Sequence, residues 1–223
     1  MRPTREVLFH FDVVSPYSWL ALMQAERFAE THGARWVLRP VVYAALLEAT
    51  GLVGPAEVPS KRRYTFLDVQ RAAERAGLGL TGPPAHPFRS IEALRTICLF
   101  ADEPGAVRLA AGVANAAWGE GRSLNDPEVL ADAVRHAGFD ARDLGVRIAH
   151  EPVKAKLRQN TDDALALGVF GVPTFVLEGE PFWGHDRMEH LADRLAGRSS
   201  IDADLLERML GRPQAVRRRG AAS

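Results

Sequence analysis

Cysteine is nearly missing from this 223-residue chain, in which Cys98 stands alone. A lone cysteine excludes an intramolecular disulfide, a C-x-x-C redox pair and a multi-cysteine metal site. Net charge is missing too, because 28 Lys and Arg balance 28 Asp and Glu. No global field therefore recruits nucleic acid or an anionic membrane. The one basic cluster, Arg217, Arg218 and Arg219, sits in a Gly/Ala/Ser/Pro-rich tail and reads as a solvated terminus. Long apolar runs are lacking as well: none approaches the roughly 18 residues of a membrane span. The opening stretch, with Arg2, Arg5, Glu6, His10 and Asp12, is too polar for the apolar centre of a signal peptide. A cytoplasmic protein with neither membrane nor nucleic-acid partner is expected. With 47% hydrophobic and 25% charged residues, the chain has globular rather than disordered composition. At roughly 150 residues per domain, its length suits one domain or a core with a large insertion.

The first periodic signals are β. Val7 to Val14 is a short β-rich run that Ser15-Pro16 converts to helix, serine serving as N-cap and proline as first helical residue. Helical spacing of Trp19, Leu20, Leu22, Met23 and Phe28 lasts to Gly33, and Arg35 to Val42 alternates like a second strand. From about residue 43 to 168 the pattern is helical, with helices expected over 61–77, 88–101, 104–119, 125–138 and 152–168 and a short turn over 140–146. Pro173 to Leu177, a Glu178-Gly179-Glu180 turn and Pro181 to Gly184 then read as a hairpin, and Asp186 to Leu195 as a helix with Asp186 at its start. The fold class is α/β: with the helical block removed, β-α-β followed by a helix and β-β-α is the order of a thioredoxin-like fold carrying a large all-helical insertion. The expected division is 5–42 plus 153–198 for the thioredoxin-like domain, 43–152 for the insertion and 199–223 for a C-terminal helix and disordered tail.

Three segments carry candidate chemistry. Ser15-Pro16-Tyr17-Ser18 lies at the strand-to-helix junction, where the helix N-terminus favours an anion by roughly 0.3–2 kcal/mol. Thioredoxin-like redox proteins place a C-x-x-C pair there; here both places are serines. Ser15 has no evident base and no GxSxG context, so it suits hydrogen-bond donation to a thiolate supplied from outside better than nucleophilic attack. As a bare N-cap it would have no such task. In Gly171-Val172-Pro173-Thr174, a cis Val172–Pro173 peptide in the loop facing the first helix would present the Val172 backbone to a thiol peptide in strand fashion. In Trp183-Gly184-His185-Asp186-Arg187, Asp186 is either a helix cap or a carboxylate for a substrate ammonium. Lys61, Tyr64, Asp68 and Arg71 share one helix face, the ordinary arrangement of a solvated, ion-paired surface. Cys98, between Ile97 and Leu99, reads as a buried small hydrophobe. Tyr43, Leu46, Leu47, Phe66 and Phe88 are candidates for an apolar pocket in the insertion.

These segments in this order, Phe11-Asp12-Val13-Val14-Ser15-Pro16-Tyr17-Ser18-Trp19, Ala49-Thr50-Gly51, Pro59-Ser60-Lys61-Arg62-Arg63-Tyr64, Gly168 to Phe175 and Trp183 to Arg187, resemble the 2-hydroxychromene-2-carboxylate isomerases and the related kappa-class glutathione transferases. The resemblance covers about residues 7 to 197. It implies a DsbA-like thioredoxin fold, a homodimer, glutathione as cofactor and a small aromatic substrate. It further implies that Ser15 hydrogen-bonds the glutathione sulfur, that Val172 and Pro173 pair with the glutathione backbone, and that Asp186 lies near the γ-glutamyl end. His185 and Lys61 join them as cofactor-side contacts. Two departures stand out: His185 replaces a common serine, and Leu52-Val53-Gly54-Pro55 follows Thr50-Gly51 where many relatives carry asparagine. The function implied is reversible thiolate addition to an aromatic-degradation intermediate with isomerisation. A kappa-like transferase and a non-catalytic thiol-peptide binding module are the alternatives.

Overall fold

The computed structural model describes residues 4–198 and 201–213. The Arg217–Arg219 run and the rest of the expected tail lie outside the described residues. Strand β1 (Arg5–Phe11) leads through helix α1 (Pro16–His32) to β2 (Ala34–Pro40), and β3 (Thr174–Leu177) and β4 (Glu180–Trp183) form the late hairpin. The sheet order is β2-β1-β3-β4, with β1 parallel to β2 and antiparallel to β3, and β3 antiparallel to β4.

Period-two alternation divides the sheet faces. Phe9 lies opposite Phe175 in the β1–β3 register, and its ring meets Phe11, Phe175 and Trp36 at 5.0, 4.7 and 5.4 Å. That face joins Trp19 and Leu20 of α1 in the main core. On the other face Leu8 pairs with Val176 and His10 with Thr174, and Val176 packs with Val41, Leu46, Ala164, Val169 and Val172 in a second cluster. Helix α1 stops where Gly33 adopts φ +67° and returns its N–H to the Ala29 carbonyl at 2.9 Å.

The insertion comprises α2 (Tyr43–Thr50), a 3-10 turn (Pro55–Glu57), α3 (Pro59–Arg75), α4 (Ile91–Phe100), α5 (Ala106–Trp118), α6 (Pro127–His136) and α7 (Leu144–Ile148), before α8 (Glu151–Ala166) returns to the sheet. The main buried cluster runs without a break from Val7 and Phe9 of β1 through Leu94, Leu109 and Trp118 of the insertion. The helices over 61–77, 88–101, 104–119, 125–138 and 152–168 appear within a few residues of expectation. Helix α2 has no individual counterpart among those readings, because its N-cap position is Val42, with no side-chain bond to announce it. The 140–146 turn becomes the one-turn α7, entered through Asp143 at φ +51°.

The helix expected from Asp186 to Leu195 starts later than expected. Asp186 lies in a 3-10 turn (His185–Arg187), and α9 (Met188–Leu195) begins after it without a side-chain cap. Gly184 explains the shift: at φ +110° it turns the chain into the 3-10 segment, and a Cβ there would come within 2.5 Å of Asp186 Oδ1. Helix α10 (Ala203–Leu210) follows, capped by Asp202, whose carboxylate accepts the Leu205 N–H at 2.9 Å.

Candidate functional site

The local geometry starts with Ser15. Pro16 supplies the fixed φ of a first helical residue, and Ser15 caps α1 by accepting the Ser18 N–H at 3.3 Å. The same hydroxyl donates to the Val172 carbonyl at 3.4 Å, so the helix start and the Val172–Pro173 loop face each other directly. The Val172–Pro173 peptide is cis. Gly171 permits the loop to approach β4, since a Cβ there would sit 2.6 Å from Trp183 Nε1.

The segment leading to Ser15 is held largely by the insertion. Trp118 Nε1–H donates to the Val13 carbonyl at 3.0 Å, and His86 Nε2 meets the Val14 carbonyl at 3.1 Å. A carbonyl can only accept, so Nε2 of His86 carries the proton. Asp12 accepts the Val14 N–H and the Tyr43 N–H, each at 3.0 Å, joining the loop to the start of α2. Burial pushes the Asp12 carboxyl above the usual carboxylate range against those two hydrogen bonds.

Tyr17 links three segments. Its hydroxyl donates to Asp68 of α3 at 2.8 Å, and its ring stacks on His185 with centroids 5.2 Å apart and planes 12° from parallel. Burial, then the Asp68 carboxylate, hold the phenol well above its usual range, so it remains a donor. Burial lowers the His185 imidazole despite the neighbouring Asp186 and Asp68 charges. Asp186 itself has a half-exposed side chain whose nearest cation, Arg187, is 3.4 Å away.

Apart from Val13, Ser18, Gly171 and Trp118, which lie buried, these groups line one cavity of about 770 Å³, within the roughly 300–1,000 Å³ of small-molecule sites. Ser15, Val172, Pro173, His185 and Asp186 of the expected set are brought together on its wall. Lys61 is not among the lining residues: it is exposed on α3, whose cavity side presents Arg62, Thr65, Phe66 and Asp68 instead. The shared face of Lys61, Tyr64 and Arg71 is solvated, and only Asp68 turns inward, onto Tyr17. Of the apolar candidates, Tyr43, Leu47, Phe66 and Phe88 line the cavity, whereas Leu46 is fully buried in the cluster behind the sheet. Cys98 is buried on α4, its thiol pushed up to about 12 by desolvation, far from a reactive thiolate.

Sequence reasoning missed Asp12, Tyr17, His86, Arg62 and Trp118 as site residues. Asp12 and Tyr17 stood inside the motif around Ser15 and could have been flagged by proximity. His86 and Trp118 join through long-range packing and left no local signal.

Comparison with known proteins bears on the fold and the family. The chain is 28% identical over 199 residues to a 2-hydroxychromene-2-carboxylate isomerase of Pseudomonas putida, covering 88% of this chain and 97% of that one. It is likewise 28% identical over 207 residues to glutathione S-transferase kappa 1 of Rattus norvegicus, with 86% and 92% covered. A solved 2-hydroxychromene-2-carboxylate isomerase superposes with a TM-score of 0.76 at 28% identity, covering 87% of this chain and 100% of that one. Residues 6–196 match the DSBA-like thioredoxin domain, and since that span is most of the molecule, the chain belongs to the DsbA-like thioredoxin family.

Proposed function

We propose that this protein is a glutathione-dependent enzyme that isomerises 2-hydroxychromene-2-carboxylate or a closely related intermediate of aromatic-ring degradation. The observation that carries the reading is the Ser15 hydroxyl at the N-terminus of α1, bonded to the Val172 carbonyl on the wall of a mostly apolar cavity. Glutathione, when bound, supplies a nucleophilic thiolate for reversible addition to an electron-poor carbon of the substrate. Ser15 then exchanges its bond to the Val172 carbonyl for one to the sulfur. That bond and the positive end of α1 both favour the anion and lower the thiol pKa. The freed Val172 backbone pairs with the peptide portion in strand fashion. Asp186, whose half-exposed carboxylate pairs with Arg187 at 3.4 Å on one side, accepts the γ-glutamyl ammonium on the other, and His185, stacked on Tyr17, shapes that end of the site. Phe66 and Phe88 form the wall for the aromatic substrate. The likeness to isomerases and kappa-class transferases supports this reading, and a homodimer in the cytoplasm goes with it as part of the proposal.

The equal identity to a kappa-class transferase favours one second reading, conjugation in place of isomerisation. The two differ in the fate of the thiol. In an assay with 2-hydroxychromene-2-carboxylate, isomerisation predicts conversion to the open-chain trans-2-hydroxybenzylidenepyruvate, the ring oxygen becoming the phenol, only when glutathione is added, with total glutathione unchanged. Stoichiometric loss of glutathione with an isolable thioether would establish the transferase, and full turnover without any thiol would refute both.

A further inference from the structure

The cavity carries three guanidinium groups, and they are not equivalent. Arg89 donates to Glu92 at 2.7 Å, and Arg187 lies 3.4 Å from Asp186. Arg62 has no carboxylate within 4.0 Å among the described residues, and its guanidinium carbon stands 5.0 Å over the Phe66 ring. The acids lining the cavity are otherwise engaged: Asp12 with the Val14 and Tyr43 amides, Glu57 with the Gly54 amide at 2.8 Å, and Asp68 with the Tyr17 phenol. Phe66 in turn meets the His86 ring edge-on at 5.5 Å. Burial, with Arg62 as a lesser contributor, lowers the His86 imidazole, so His86 does not add a second positive charge there. The result is one uncompensated fork of N–H donors beside a wall of aromatic rings.

We propose that Arg62 is the specificity-determining residue of the aromatic half of the cavity, selecting ring substrates that bear a carboxylate over neutral rings of the same shape. The inference rests on reading this cavity as the substrate site, and it deepens that reading by naming the group that reads the anion. A planar guanidinium suits a carboxylate because two parallel N–H groups can be accepted at once, and a substrate ring lying along Phe66 would bring its carboxylate towards that fork. The carboxylates of glutathione offer the same chemistry. On the proposed reading glutathione engages Val172 and Asp186, whereas Arg62 sits on α3 with its guanidinium over Phe66, and the glutathione titration below separates the two carboxylate sources.

The test uses equilibrium binding of 2-naphthoate and of its neutral amide, 2-naphthamide, to the full chain without any thiol. The expected result is about a tenfold or greater preference for the acid in the wild type, falling to within about twofold in Arg62→Gln and intermediate in Arg62→Lys, which keeps charge but loses the fork. Because Arg62 is exposed, both variants should retain the wild-type far-UV spectrum and melting temperature. Glutathione affinity, titrated separately, should be unchanged in Arg62→Gln. The proposal is overturned if the wild type has no preference for the acid, if the preference survives in Arg62→Gln, or if that variant loses glutathione affinity instead. Preference for the acid without glutathione-dependent turnover would refute the catalytic reading while leaving the role of Arg62 standing.

Discussion

The sheet half and the helical insertion hold the Ser15 loop in different ways. The sheet half works through repeated backbone pairing: β1 and β2 run in register from Arg5 opposite Ala34 to Phe11 opposite Pro40, delivering the chain to the start of α1. The insertion works through single contacts, a Trp118 indole on the Val13 carbonyl, a His86 ring on Val14 and the Tyr43 amide on Asp12. Losing one bond of a ladder leaves its neighbours, whereas losing one of these contacts leaves a buried group without a partner. The site is therefore built between the halves, and the insertion is the half in which a single substitution should matter most.

The largest expected effect tests whether the two halves are energetically one. Trp118 is buried in the shared core. Trp118→Ala removes both its packing and the bond to Val13, and should cost about 3–5 kcal/mol, with the whole chain still unfolding in one transition. Urea unfolding followed by circular dichroism and by tryptophan fluorescence should give coincident curves; an insertion that melts first would separate the halves.

A somewhat smaller effect belongs to the sheet half. His10, buried on β1 with neither ring nitrogen in hydrogen-bond geometry, is lowered from 6.5 to about 4 by burial and then by the Arg39 charge, with Thr174 and Asp163 opposing weakly. Between pH 6.5 and 4 the unfolded chain therefore binds a proton that the folded chain refuses. Stability is full above pH 6.5 and falls as the pH drops, by about 1.4 kcal/mol per unit and about 3 kcal/mol in all. In His10→Leu the pH dependence of the urea midpoint should lose one proton of slope over that window. An unchanged slope would assign the acid sensitivity to other groups.

Ser15→Ala should separate chemistry from stability. Glutathione-dependent turnover is expected to fall about a hundredfold, as for loss of one preorganised donor to a developing anion. Stability should fall by only about 1 kcal/mol, the usual value of an N-cap. Steady-state kinetics beside a urea titration decides the matter, and a stability loss matching the activity loss would reduce Ser15 to a cap.

The smallest effect is at the seam. Tyr17→Phe keeps the ring stacked on His185 but removes the hydroxyl bonded to Asp68, and should cost about 1 kcal/mol. Hydrogen exchange should accelerate in α3, which buries only Val69 and Ala73. Unchanged exchange there would show that α3 is held by its other contacts.

The order of elements and one side of the site follow from short-range sequence signals. Ser15-Pro16 announces a helix start by capping chemistry that operates within four residues, and Gly171-Val172-Pro173-Thr174 announces a constrained loop before a strand, so both were legible locally. Helical periodicity likewise located the long insertion helices, although the uncapped α2 and the turn at Gly184 moved boundaries near the site. Tertiary structure alone decided which residues complete the cavity. Phe66 and Leu47 turn towards it while Leu46, one residue away, turns into the core, and Arg62 lines it while Lys61 faces water. Adjacent helical positions differ by about 100° in direction, so only the packed orientation of each helix chooses between them. His86 and Trp118 reach the Ser15 loop across 72 and 105 residues of chain, and no local pattern encodes a contact that exists only once the insertion has closed over the sheet.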